Sequence, residues 1–228
     1  AVGESVTEPL KYYNVNIGGS ISLLTAMPKA GCNNIVFSSS ATVYGKPQYL
    51  PYDEKHPTNP VNPYGRTKLI IENIINDWTK LDLKRHGIIL RYFNPVAAHV
   101  SGQIGEEPIG IPNNLMSFTA QVADERREHL NIFGNDYDTS DGTGARDYIH
   151  VVDLAFAHTS ALNRNKLNKF EILNIGGRST TILELVKIFD DTSGIAIKLK
   201  YLPRRDGDFA AFWADTSKAF EKMSWQPE

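Results

Sequence analysis

The sequence predicts an α/β protein built on a doubly wound parallel sheet, with a second, smaller α/β lobe interleaved in the chain. Three observations lead there. Apolar runs at 34–37 and 87–92 flank a long helical pattern that opens at Tyr64, and strand–helix–strand order implies parallel neighbours. Ser38-Ser39-Ser40 closes the first run, at the carboxyl end of a strand, where open α/β sheets bind ligands. After Asn94-Pro95 the chain turns to Gly-, Pro- and Asn-rich loops with short strands, until the run at 170–175 reads as a strand able to return to the first sheet.

Composition narrows the function classes. A chain of 228 residues, 41% hydrophobic and 22% charged, can bury a sizeable core. The net charge of −2 and the scattered Lys and Arg give no footprint for nucleic acid. No apolar run approaches the ~20 residues that span a bilayer. A single cysteine, Cys32, leaves no internal disulfide and suits a reducing compartment such as the cytoplasm.

The first helical pattern runs from about Pro9 to Ala30, with Gly18, Gly19 and Pro28 weakening it. A strand at 34–39 and a Pro-rich loop at 46–63 follow, then a helix from Tyr64 to about Lys84. The apolar stripe of that helix (Leu69, Ile70, Ile71, Ile74, Ile75, Trp78, Leu81) is wider than packing on one sheet requires. Either the helix is deeply buried, or it shares a partner surface with helix 9–30. Beyond Tyr92 the pattern predicts helices near 113–127, 152–163, 181–192 and 215–222, and strands at 130–133, 147–151, 170–175 and 196–202.

Tyr64 and Lys68 lie one turn apart on one helical face. An ammonium beside a phenol favours its anion, and a serine at the strand end could share the proton. That is an acid/base for alcohol–ketone chemistry. A solvated lysine below a helix-start tyrosine is the plain alternative, and Ser40 with the Pro63-Tyr64-Gly65 start favours the catalytic reading. Other groupings carry less. Arg126 and Arg127 sit in an Asp-Glu-Arg-Arg-Glu run that reads as a solvated face. Asn113-Asn114 after a proline could be a helix cap. Asp136, Asp138, Asp141 and Gly142 miss calcium-loop spacing by one residue, so no metal is expected.

Ser38–Gly45, Pro63–Lys68, Leu90–Pro95, Gly110–Leu115, Ile132–Tyr137, Arg146–Ala155 and Arg204–Asp208 together resemble the UDP-glucose 4-epimerase family of extended short-chain dehydrogenases, in family order over essentially the whole chain. The resemblance implies an NAD-binding Rossmann domain (1–95 and about 150–176) and a nucleotide-sugar domain (96–149 and about 177–228). It also implies a bound, recycled NAD, a UDP-hexose substrate, and a homodimer through helices 9–30 and 64–84. Tyr64 becomes the base at the sugar 4-hydroxyl, Lys68 lowers its pKa and holds the nicotinamide ribose, and Ser40 bridges the proton. Phe93 borders the nicotinamide, and Asn16 is a further cofactor contact. Asn94, Asn114 and Leu115 meet the nucleotide-sugar, Asn131, Ile132 and Phe133 the uracil. Arg146 and Arg205 hold the diphosphate, Asp208 the uridine ribose, and Phe212 stands beside the sugar.

Related dehydratases carry acidic residues just after the strand-end serine or threonine, and decarboxylases a glutamate two residues on. Here Ala41 and Thr42 stand there, which favours plain epimerisation, with dehydration or decarboxylation as the alternative. Val15, before Asn16, departs from the family, as does Ala97 where glycine is usual. The Gly-rich phosphate turn of a dinucleotide fold is not found either: Gly18-Gly19 lies in a helical pattern and Gly176-Gly177 follows a late strand. The expectation is a longer native polypeptide, with these 228 residues inactive alone, or else a binding module without catalysis.

Overall fold

A computed structural model describes residues 1–106, 112, 114–163, 167–205 and 208–228; Gly110, Ile111, Asn113, Asp206 and Gly207 of the motifs above fall outside them. The helices are α1 (Val2–Thr7), α2 (Pro9–Tyr12), α3 (Gly19–Ala26), α4 (Pro63–Lys80), α5 (Leu115–Ala123), α6 (Val151–Leu162), α7 (Ile182–Ser193) and α8 (Ser217–Met223). The strands are β1 (Asn34–Ser38), β2 (His86–Tyr92), β3 (Asn94–Val96), β4 (Leu130–Phe133), β5 (Ala145–His150), β6 (Phe170–Ile175), β7 (Arg178–Thr181), β8 (Leu199–Leu202) and β9 (Ala211–Phe212).

The chain divides into two compact units. The first holds Ala1–Phe93, Asp153–Gly176 and Ala214–Glu228. Its sheet is parallel throughout, in the order β1-β2-β6, so 170–175 does return to the first sheet. The helical pattern begins earlier than the sequence predicts, at Val2. Glu8 breaks it at φ −125° because the ring of Pro9 disfavours helical backbone before it. A π-helical stretch, Tyr13–Gly18, joins α2 to α3, and Gly31, at φ +72°, ends the run after Ala30. Helix α4 stops at Lys80 rather than Lys84, since Asp82 turns the chain by accepting from the Lys84 N–H at 2.9 Å.

The wide stripe on α4 is partly spent inside the chain. Leu24 and Met27 pack with Ile71, Ile75, Trp78 and Ile89 in one buried cluster, and the Trp78 indole donates to the Leu24 carbonyl at 3.0 Å. Leu10, Val15, Leu23 and Leu81 remain more than half exposed. The tail from 214 belongs to this unit, whereas the sequence reading groups 177–228 with the second. Lys218 reaches the Glu171 carboxylate at 2.6 Å and the Ile172 carbonyl at 2.8 Å, and the Trp225 indole donates to the Asp153 carbonyl at 3.0 Å.

The second unit holds Asn94–Val152 and Gly177–Trp213. Strand β5 lies between β3 and β7, parallel to the first and antiparallel to the second, and also pairs with β9; β4 and β8 form a separate parallel pair. Its core joins Val122, Leu130, Ile132, Val186 and Ile197. The sequence does not reveal β3, β7 and β9, whose two to four residues are too short to show a period. Helix α5 ends at Ala123, before Glu125 takes φ +57°.

Candidate active site

The three serines after Phe37 each have their own partner. Ser38 meets His158 Nε2 at 2.8 Å, and the other ring nitrogen, Nδ1, faces the Leu154 carbonyl, also 2.8 Å away, to which it donates. Ser39 donates to Glu72 on α4 at 2.5 Å. Ser40, extended and buried, caps the single turn Ala41–Val43 by accepting from the Thr42 N–H at 3.2 Å.

Helix α4 starts against that turn. The Asn62 side chain caps it by accepting from the Gly65 N–H at 2.8 Å, with Pro63 pre-set at the first position. A Cβ on Gly65 would stand 2.8 Å from the Thr42 carbonyl oxygen, so only glycine lets Tyr64 come this close to the Ser40 turn. The Tyr64 N–H is satisfied by the buried Ser5 hydroxyl of α1 at 3.2 Å.

Burial pushes the Tyr64 phenol above its ordinary pKa, Tyr92 adds to the rise, and a hydrogen bond with Ser40 works against it. The sequence reading has Lys68 acting against this rise. Its ammonium, itself weakened by burial, donates to the Ser38 carbonyl at 2.9 Å and lies 5.5 Å from the Tyr64 ring centre. Asn16 is occupied within the protein, donating to Thr67 of α4 at 2.9 Å. Phe93 is buried, its ring 6.2 Å from that of Tyr52.

The second unit contains a cavity of about 420 Å³. It is lined by Asn94, Asn114, Leu115, Asn131, Phe133, Arg146, Arg205 and Asp208 of the predicted residues. Asp208 joins the two arginines, at 2.8 Å from Arg205 and 3.7 Å from Arg146. Arg205 stacks over the Phe133 ring at 4.5 Å, and Arg146 donates to the Ala145 and Phe209 carbonyls at 2.9 Å each. Two guanidiniums around one carboxylate leave net positive charge for an anion.

Some assignments change. The Ile132 side chain is wholly buried in the core, so only its backbone remains for a ligand. Phe212, paired in register with Arg146, is not among the lining residues. Asn114 stands at the α5 cap position without capping it, and instead donates to Glu106 at 3.1 Å. Arg127, read from sequence as solvated, stacks on Phe118 at 4.8 Å, donates to Gln121 at 2.6 Å and faces the cavity; Arg126 does pair on the surface with Asp124. The sequence reading also passes over Tyr148, a lining residue whose phenol burial pushes up to about 12. Its place beside Arg146 on β5, one residue removed and hence on the same face, is the signal that could have found it.

The Asp136–Asp141 loop has internal partners: Asp136 pairs with Arg204 at 2.7 Å, and Asp141 accepts from Thr143 and Thr181. Among the described residues no group of three or more His, Cys, Asp and Glu could hold a metal, and no helix is long and apolar enough to cross a membrane.

A family model described as GDP-mannose 4,6 dehydratase matches residues 1–228. The UDP-glucose 4-epimerase of Homo sapiens is 54% identical over 228 residues, 99% of this chain and 66% of the relative; the chain thus spans just under two thirds of that protein's length. Among solved structures, the UDP-glucose 4-epimerase of Stenotrophomonas maltophila with bound NAD and formylated UDP-arabinopyranose superposes with a TM-score of 0.96 at 46% identity, covering 100% of this chain and 68% of the other. The Bifidobacterium longum UDP-glucose 4-epimerase in complex with NAD+ and UDP gives 0.92 at 45% identity, covering 100% and 69%.

Proposed function

Because this chain belongs to the UDP-glucose 4-epimerase family, we propose that its protein interconverts UDP-galactose and UDP-glucose by reversible oxidation at sugar C4. The observation that carries this is the Ser40–Tyr64–Lys68 group, followed by Ala41 and Thr42 rather than an acid. Tyr64 takes the proton from the 4-hydroxyl and later returns it, with Ser40 as hydrogen-bonding partner. Burial keeps Tyr64 protonated to higher pH, which makes its anion a scarcer but stronger base, so the base half-reaction favours alkaline pH.

The first unit is the NAD-binding part in this reading. NAD, when bound, would supply the acceptor and donor of hydride at the sugar C4. Lys68 fits the role of ribose ligand, since its ammonium has three donors and one is used on Ser38. Phe93 would border the nicotinamide. Asn16 suits this role less, because Thr67 already engages its amide. The second unit takes the nucleotide: Arg146 and Arg205 for the diphosphate, Asp208 for the ribose, Asn94, Asn114, Leu115 and the Asn131–Phe133 backbone for the rest of the UDP-hexose. Tyr148 and Arg127 join that set.

We propose further that two copies associate through the exposed apolar residues Leu10, Val15, Ile21 and Leu23 and the outer face of α4, which sedimentation velocity would detect as a dimer. The lone cysteine suits the cytoplasm.

The test is to add UDP-galactose, without external NAD, to the full-length protein. A transient reduced-nicotinamide band with UDP-glucose appearing is expected. A band that persists while a 4-keto unsaturated sugar forms in the same amount as the reduced cofactor points instead to the dehydratase chemistry for which the matching family model is described. No band and no product with intact protein and added NAD leaves a binding module.

A further inference from the structure

Two turns below Tyr64, on the same side of α4, a carboxylate is buried almost completely. Glu72 is 2% exposed, in a helix whose neighbours Ile71 and Ile75 are core residues. Its partner is Arg91 of β2, 3% exposed, which donates from Nε at 3.0 Å and from a terminal nitrogen at 2.6 Å, a bidentate pair. The carboxylate accepts a third bond from the fully buried Ser39 hydroxyl at 2.5 Å. The Arg91 guanidinium lies over the Tyr44 ring at 4.8 Å, and the Tyr44 hydroxyl donates to Asn174 of β6 at 2.6 Å. One ion pair thus links α4, the end of β1, β2 and β6.

Packing alone does not explain this arrangement. An ion pair out of water costs more than apolar side chains of the same volume would, unless geometry and additional bonds offset it. What the pair does supply is a fixed register. Ser39 adjoins Ser40, while Glu72 stands on the rigid helix that carries Tyr64 and Lys68 at successive turns. We infer that Ser39, Glu72 and Arg91 are positioning residues that hold the strand-end Ser40 in hydrogen-bonding reach of Tyr64, and so set how well Tyr64 moves the proton. This rests on the epimerase reading of the site.

Ser39→Ala is the sharpest test, because it cuts the link and leaves the Glu72–Arg91 pair intact. Made in the full-length protein, it is expected to lower kcat about tenfold or more, since misplacement of about 1 Å can cost a hundredfold. KM for UDP-galactose should stay within about twofold, because none of the three residues lines the cavity described above. The pH profile gives a second readout. The groups that bear on Tyr64 are Lys68 of its own helix, Tyr92 of β2, Tyr12 of α2 and Ser40. The Ser40 hydrogen bond pulls the phenol's pKa down, so slackening it moves the rising limb of kcat to higher pH.

A merely structural Ser39 would lower the melting temperature with kcat and profile unchanged, and that result overturns the inference. If Ser39→Ala does not fold, Glu72→Gln paired with Arg91→Gln removes both charges together, and normal kcat in that variant refutes it equally. Should wild-type full-length protein fail to epimerise, the functional reading falls first; wild-type turnover with an indifferent variant defeats only the positioning role.

Discussion

In the first unit, the side chains of Arg91 and Glu72 are 4% and 2% exposed, and the Glu72 carboxylate accepts from both Arg91 and Ser39. In the second, Arg205 and Asp208 pair at a similar distance with side chains 59% and 22% exposed, on the wall of an open cavity. The same chemistry serves opposite ends. Without water an ion pair cannot relax, so it fixes the groups around it. A wet pair is screened and adjustable, so a phosphate can take the place of the carboxylate at little cost. The first unit spends its charges on geometry. The second keeps them for a ligand.

The widest separation between the units is expected from Tyr64→Phe. It removes the hydroxyl and nothing else, so kcat should fall by about 10²–10⁴-fold, the span general acid–base catalysis covers. Melting temperature should barely move, because the Tyr64 backbone N–H, not its phenol, makes the bond to Ser5. The rising alkaline limb of the pH profile should vanish with the phenol. A variant that keeps the limb would assign it to another group.

Arg91→Met comes next, and it acts on stability. It leaves the Glu72 carboxylate buried with Ser39 alone, so denaturant unfolding should show a loss of about 3–5 kcal/mol. Adding Glu72→Leu should recover much of that loss while activity stays low, since an apolar pair packs but fixes no register. Recovery of both would show that the pair was only filling space.

Arg205→Ala should cost far less stability, within about 1 kcal/mol, because its partner Asp208 keeps contact with water and with Arg146. Affinity is where its effect belongs. KM for the UDP-sugar should rise about tenfold, as expected for losing one charge-assisted bond of about 1.5 kcal/mol, and the KM rise with added salt should flatten. Arg127→Ala probes the same wall, and a smaller rise is expected, since Arg127 is held by Gln121 and Phe118 rather than by a carboxylate.

The two units also differ in how far the sequence discloses them. In the first, long apolar runs announce β1, β2 and β6, and the spacing of Tyr64 and Lys68 already sets both on one helical face. What stays hidden is long-range pairing. Glu72 amid isoleucines and Arg91 after Ile88-Ile89-Leu90 each look anomalous alone, and only the fold brings them together across 19 residues of chain. In the second unit the strands are too short for periodicity, and β9 lies 66 residues beyond its partner in β5, with Ala211 opposite Ala145. Arg127 misleads because its neighbours in sequence are charged, while its partners Phe118 and Gln121 are one to three turns back on α5. The tail after 213 follows the first unit for a reason no local pattern carries: Tyr52 pairs with Ala214 and accepts from the Asp215 N–H at 2.7 Å.

The smallest effect separates backbone from side chain in the second unit. Ala97 follows β3 with φ +70°, in the left-handed region where a Cβ crowds the following carbonyl. Glycine, which the sequence resemblance leads one to expect here, would adopt this backbone freely, whereas alanine carries the strain. Ala97→Gly trades about 1–2 kcal/mol of that strain against about 0.5–1 kcal/mol of added chain entropy. A net gain of about 0.5–1 kcal/mol is expected, read as a rise in the urea midpoint at unchanged slope. KM should not move, because Ala97 is not among the residues lining the cavity. A fall in stability would mean that the loop after β3 needs the stiffness of alanine more than it suffers from its φ.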